Sequence, residues 1–219
     1  MKTAHPDTYK FLRELRENNN KEWMDANRKW YTEIRNGLID LASTIQASFA
    51  EEYPMAMMDP KKYLARINNN RRFHPDKPPY KNNFALMIKR RGPGWGDFYL
   101  HIEPDNLFVG TGIYHPPREL LLALRDLIDV RGDELRQIGQ ASDLKEIYGD
   151  LGGDKLKKQP KGFEADHPHI DLLRHKDMIL STQMDEDIIF STQGVKELQK
   201  AFKAAIPFMD FIDLAIESA

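Results

Sequence analysis

Between Arg66 and Lys81 the chain reads RINNNRRFHPDKPPYK, which sets cations among amides, prolines and two aromatics. Arginine offers a planar fork of donors that fits phosphate or carboxylate oxygens, and lysine offers a compact point charge. Asn68, Asn69 and Asn70 add neutral donors. Pro75, Pro78 and Pro79 stiffen the segment and reduce the entropy lost on ordering it. The run has no amphipathic period, so a packed face does not account for its charge. Over 66–91, Arg66, Arg71, Arg72, Lys77, Lys81, Lys89, Arg90 and Arg91 stand against Asp76 alone, a local +7. The whole chain carries −2, which leaves −9 for the remainder. A basic patch on an acidic body suits a defined anion better than indiscriminate binding of long polyanions. Arg66, Arg72, Lys77 and Lys81 are the candidate charge-neutralising residues, with Tyr80 as a stacking or hydrogen-bonding face. The competing reading pairs these cations with acidic helices, so that they brace the fold.

Other clusters carry weaker signals. Lys89-Arg90-Arg91 should end a strand and enter the Gly92-Pro93-Gly94 turn beside Trp95, where solvated charge discourages edge pairing. An exposed Trp95 there would favour stacking on single-stranded nucleic acid. Lys157-Lys158-Gln159-Pro160-Lys161-Gly162 is too short for a phosphate-binding P-loop, but Lys161 is a candidate to close the anion pocket. Asp166-His167-Pro168-His169 is the only metal-like run. It matches no zinc spacing, so no metal is expected, and His167 and His169 are the weak candidates. His101, in a predicted strand beside Tyr99, reads as a hydrogen-bonded buried histidine; with Asp76 it is also a weak candidate for proton transfer. No nucleophile elbow and no dinucleotide fingerprint occurs.

Hydrophobic periodicity supplies the elements that must hold these groups. A helix is expected from about Pro6 to Asn18, then a long one from about Lys21 to Glu51 with Trp23, Trp30, Ile34, Leu38, Leu41, Ile45 and Phe49 on one face. Strands are expected at Tyr63–Ile67, Phe84–Lys89, Asp97–Glu103 and Leu107–Ile113, the last three joined by turns short enough for an antiparallel meander. Pro116-Pro117 should open a helix to about Val130, followed by a short one at Asp133–Ile138 and a helical turn at Leu144–Tyr148. Residues 149–168 read as loop with a short strand near Leu156, then a helical turn at Ile170–His175 and a strand at Met178–Met184. A last helix should start near Gln193, capped by Thr192 and interrupted and kinked at Pro207. The expectation is one α+β domain over 1–219, an antiparallel sheet with helices packed mainly on one face.

Composition narrows the function classes. Hydrophobic residues make up 41% and charged residues 30%, a globular balance rather than a disordered one. Cysteine is absent, which excludes disulfides, cysteine nucleophiles and thiolate metal sites. No apolar run is long enough to cross a membrane. Met1 to Asp7 lacks an apolar signal core, so a cytoplasmic location is expected.

Several blocks point to one family. Phe11-Leu12 with Leu15, Asn18-Asn19 and Lys21-Glu22-Trp23 resemble its opening. Arg66-Ile67, Arg72-Phe73, Asp76-Lys77 and Pro79-Tyr80-Lys81 resemble its middle. Gly112 with Tyr114 and Pro116, Pro160-Lys161-Gly162-Phe163, His167-Pro168 and Leu172-Leu173-Arg174 resemble its later part. Together they resemble the bacterial family called domain of unknown function 2461, over nearly the whole chain. That resemblance implies a single α+β domain and carries no activity. It also implies an acid at position 70, where this chain has Asn70, so a catalytic or metal-binding role for that acid would be lost here.

The sequence therefore leads to an uncharacterised protein that binds a small phosphorylated or carboxylated ligand, with catalysis open. The alternatives are a nucleic-acid-binding module, using 66–81 and 89–95 as one surface, and a structural or interaction protein. No cofactor, oligomeric state or reaction follows from the sequence.

Overall fold

The computed structural model describes residues 1–72, 74–90 and 97–219. Four strands, β1 (Phe84–Ile88), β2 (Phe98–Ile102), β3 (Phe108–Ile113) and β4 (Met178–Gln183), form one antiparallel sheet in the order β1-β2-β3-β4. Among the described residues seven α-helices accompany it, so the fold is α+β. Side-chain alternation is clear on β2: Phe98, Leu100 and Ile102 are buried, while Tyr99 and His101 on the opposite face are half-buried. The chain clusters into two compact units, Met1–Gly92, Tyr99–Val109 and Gln183–Lys200 in the first and Pro93–Phe98, Gly110–Thr182 and Ala201–Ala219 in the second. Among the described residues no helix is long and apolar enough to cross a membrane.

In the first unit, α1 (Thr8–Glu17) and α3 (Arg28–Phe49) bury the stripes their periodicity predicts. Phe11 is fully buried, with the rings of Trp30 at 5.2 Å, Trp23 at 5.6 Å and Phe84 at 6.1 Å. The expected single helix from Lys21 is interrupted. α2 (Lys21–Ala26), capped by Asn20 accepting from the Trp23 N–H at 2.8 Å, stops at Asn27, which has non-helical φ −103° and ψ 18°. Asparagine competes for backbone hydrogen bonds, and here its amide donates to the Trp23 carbonyl at 2.9 Å. The expected strand at Tyr63–Ile67 is reduced to isolated bridges, Leu64 with Leu86 and Asn68 with Tyr80. A 3₁₀ turn at Pro60–Lys62 precedes it.

In the second unit the two helices expected between Pro117 and Ile138 merge into α4 (Arg118–Gln140), broken only by non-helical φ/ψ at Arg131. α5 (Ser142–Tyr148) and α6 (Ile170–Leu173) follow, and residues 149–168 are irregular apart from bridges at Gly152 and Lys155. α7 (Thr192–Ser218) runs on through Pro207 without the expected interruption. Two buried partners show how the unit closes: the Tyr148 hydroxyl donates to the Ala201 carbonyl at 2.8 Å, and Phe98 meets Phe202 edge-on at 5.9 Å. Gly112, at φ +114°, brings its backbone so close to Met178 that a Cβ would sit 2.2 Å from the Met178 carbonyl oxygen, so only glycine fits.

Candidate functional site

The basic segment is the arm of a tight excursion in the first unit. Its two ends pair: the Lys81 N–H donates to Ile67 O at 2.7 Å and the Asn69 N–H to Pro79 O at 2.9 Å. Asparagine side chains lock this base. Asn69 Nδ2 donates to the carbonyls of Pro78 (2.9 Å) and Tyr80 (3.0 Å). Asn19, in the turn after α1, treats the Tyr80 peptide as a strand neighbour would. Its Nδ2 donates to Tyr80 O at 2.9 Å and its Oδ1 accepts from Tyr80 N–H at 3.0 Å. Asn19 Nδ2 also reaches Asn82 Oδ1 at 3.1 Å. Prolines cannot donate to such a ladder, so side-chain amides supply the missing donors.

On this base the cations stand outward. Arg66, Arg71, Arg72, Lys77, Asp76 and Asn70 are exposed, and Lys81 is half-buried. Lys81 Nζ donates to the Arg66 carbonyl at 2.9 Å, and Arg71 donates to the Pro75 carbonyl at 3.3 Å. Among the described residues, no ion pair links Arg66, Lys77 or Lys81 to a carboxylate. Tyr80 is buried, 6% exposed, so its ring belongs to the base of the excursion and offers no open stacking face. It lies within electrostatic reach of Lys21 and Arg28, both of which pair with Asp25. Phe73, Arg91, the Gly92-Pro93-Gly94 turn and Trp95 lie outside the described residues. Arg90 corrects one expectation. It is not solvated strand-end charge but is 2% exposed, with its guanidinium 4.8 Å from the Tyr53 ring centroid.

Lys161 belongs to the second unit, exposed in a turn where Gly162 takes φ +97°. His167 and His169 lie there too. His167 Nε2 meets Asp129 Oδ1 at 2.8 Å, and its Nδ1 accepts the His169 backbone N–H at 3.1 Å, so both ring nitrogens have protein partners. His169 is 7% exposed, its ring lies against Gly132, and its Nδ1 has no partner. Among the described residues no group of three or more His, Asp or Glu is placed to hold a metal ion.

His101 sits in a network that sequence reasoning found only in part. Its Nδ1 lies 3.0 Å from the Tyr99 hydroxyl and 3.4 Å from Asn83 Nδ2, and its Nε2 lies 3.0 Å from Glu103 Oε2. The ring stacks on Phe108, centroids 4.7 Å apart at 16°. Glu103 also accepts from Asn106 Nδ2 at 3.2 Å and pairs with Arg16 at 3.6 Å. Burial pushes the Glu103 carboxyl up, but the hydrogen bonds from His101 and Asn106 and the nearby charges outweigh it, and the net shift is downward. Burial, and then the Glu103 charge, raises Tyr99 above the ordinary phenol value. The signal for Glu103 was present in the sequence: Tyr99, His101 and Glu103 at i, i+2 and i+4 of a strand share one face. Asn19, Asn83 and Arg16 are separated from it in sequence and left no such mark.

Each unit carries a depression. The second unit's, about 210 Å³, is walled by Leu135, Leu144, His175 and Phe208 with the Arg136–Asp171 ion pair. The first unit's is a shallow one of about 520 Å³ lined by Lys10, Asn27, Lys29 and Trp30 among others. Neither is lined by the cations of the basic segment.

A family model described as "Conserved hypothetical protein (DUF2461)" matches residues 7–211. The chain belongs to this family. No curated protein and no solved structure matches it. The DUF2461 match spans both units, including the 66–81 excursion and the Tyr99–Glu103 strand face.

Proposed function

We propose that this DUF2461 protein binds a small phosphorylated or carboxylated anion on the 66–81 excursion. One observation carries the reading: Arg66, Lys77 and Lys81 stand on an amide-locked base with no carboxylate paired to them among the described residues. Cations that braced the fold would be paired with acids, as Lys21 and Arg28 are with Asp25 and Arg136 is with Asp171. Here backbone carbonyls and amides satisfy the segment internally, which leaves positive charge for a ligand. The proposal places the protein in the cytoplasm.

Thermal-shift and calorimetric titrations with inorganic phosphate, pyrophosphate, nucleotides, sugar phosphates and citrate, in low salt, test it. At least one anion should raise the melting temperature, and the doubly substituted R66A/K77A protein should lose that gain. Its own unliganded melting temperature should stay close to that of the parent, because exposed substitutions usually change stability by within about 0.5 kcal/mol. Absence of stabilisation by every anion refutes the reading.

The exposure of these cations, outside the lining of either depression, favours a second reading, an extended single strand of nucleic acid. That reading requires affinity falling steeply with salt. A labelled oligonucleotide that fails to bind at low ionic strength removes it.

A further inference from the structure

Glu103 is the fixed point of the β2 face. It is half-buried, stays ionised, and takes donors from three directions: His101 Nε2, Asn106 Nδ2 and the Arg16 guanidinium. An ionised carboxylate only accepts hydrogen bonds. The His101 proton must therefore lie on Nε2, which leaves the Nδ1 lone pair facing the Tyr99 hydroxyl at 3.0 Å. Asn83 Nδ2 approaches the same Nδ1 at 3.4 Å, and Phe108 holds the ring plane by stacking. Other charges beside the network are Arg13 on α1, near Asp105 (3.7 Å) and Glu186 (3.6 Å). The result is a carboxylate that fixes an imidazole tautomer and a base nitrogen that addresses a hydroxyl. This is the logic of an acid–base triad, with a phenol in the outer position. Tyr99 itself is half-buried rather than enclosed.

We propose that Tyr99, His101 and Glu103 form a proton relay that hydrolyses a phosphate ester bound by the 66–81 excursion. The substrate class rests on the anion-binding reading above; the relay rests on its own geometry. Asn83, two residues beyond Lys81 in sequence, reaches His101 Nδ1 at 3.4 Å. Tyr99 is the catalytic residue, and His101 and Glu103 act through it. Water attacks phosphorus while giving one proton to Tyr99 Oη, which passes its own to His101 Nδ1. The imidazolium is held by Glu103. A P–O bond to water forms and the P–O bond to the leaving group breaks. The proton returns through Tyr99 to the leaving oxygen. One water is consumed, nothing is oxidised, and the basic segment offsets charge on the phosphoryl oxygens.

The test uses the full chain with 4-nitrophenyl phosphate, bis(4-nitrophenyl) phosphate and the neutral 4-nitrophenyl acetate. Turnover of a phosphate ester is expected, with Y99F and H101Q each lowering kcat by about 10²-fold or more while KM stays near the parent value. R66A/K77A should raise KM and lower kcat/KM. Imidazole ¹⁵N NMR should show His101 protonated on Nε2 and bare on Nδ1, and E103Q should scramble that tautomer even if the fold is intact. Absence of phosphate-ester turnover, turnover retained in Y99F, or a His101 proton on Nδ1 overturns the relay. If anions stabilise the protein but no ester is cleaved, the relay falls and the anion reading survives. If Y99F abolishes turnover but R66A/K77A leaves KM untouched, the relay stands and the anion reading falls.

Discussion

Asn19→Ala should unlock the basic segment from the rest of its unit. The substitution removes both hydrogen bonds to the Tyr80 peptide and the contact with Asn82. The losses are unequal. The Tyr80 carbonyl keeps Asn69 Nδ2 as a donor at 3.0 Å, so that acceptor stays satisfied. The Tyr80 N–H loses its acceptor in a residue only 6% exposed, and an orphaned buried donor costs about 1–3 kcal/mol. Adding a fraction for the half-buried Asn82 contact gives about 2 kcal/mol, roughly a thirty-fold shift in the opening equilibrium of the segment. Urea denaturation should show this loss, and hydrogen exchange at the Tyr80 amide should accelerate in proportion. Asn69→Ala alone leaves the Tyr80 carbonyl its Asn19 donor. The double substitution strips both, so its cost should exceed the sum of the singles by about 1 kcal/mol. Affinity for any anion should fall with the order of the segment. A stability change under about 0.5 kcal/mol, with Tyr80 exchange unchanged, would refute the reasoning that side-chain amides hold this base.

Other expectations follow from the same geometry. Gly132→Ala would put a Cβ 2.4 Å from the His169 ring, so it should lower stability by about 1–3 kcal/mol, and His169→Ala in the same chain should recover much of that in a thermal-unfolding cycle. Gly194→Ala should cost more than Gly132→Ala, because its Cβ would meet the Ile188 carbonyl oxygen at 1.9 Å and backbone cannot swing aside. Burial lowers the His175 pKa, against a smaller raising effect of its hydrogen bond with the Asp177 carbonyl. The folded state thus holds a neutral ring more strongly than the unfolded chain does. Stability from this group is present above the ordinary histidine value of 6.5 and drains away as pH falls below it. Denaturation midpoints at about pH 7.5 and 5.5 should differ in the parent and converge in His175→Asn, which keeps a donor for Asp177 without a titratable ring. Glu103 and Asp171, both shifted down, act in a separate window, removing stability only as pH falls below their ordinary values of 4.5 and 3.8.

Much of the scaffold could be read from residue order, because helix and strand periods depend on local spacing. The stripes of α1 and α3, the strands β1 to β4 and the α+β class followed from which positions were apolar. Local spacing failed where one residue tipped a balance. Asn27 splits a helix that looked continuous, Tyr63–Ile67 pairs only at bridges, and α7 passes through Pro207. At the candidate site, composition marked the basic excursion and family likeness marked its blocks, but neither shows which cations have acidic partners. Arg90, beside Lys89 in sequence, is buried over Tyr53, whereas Arg66 and Lys77 stand in solvent. Sequence by itself determined the elements, the exclusion of cysteine chemistry and the location of the excess positive charge. Tertiary structure alone decided that Asn19 clamps Tyr80 from 61 residues away, that Asn83 reaches His101 and that Arg16 pairs with Glu103. Hydrogen-bond partners are chosen by distance in space, and spacing along a chain encodes only those that fall within one turn or one strand.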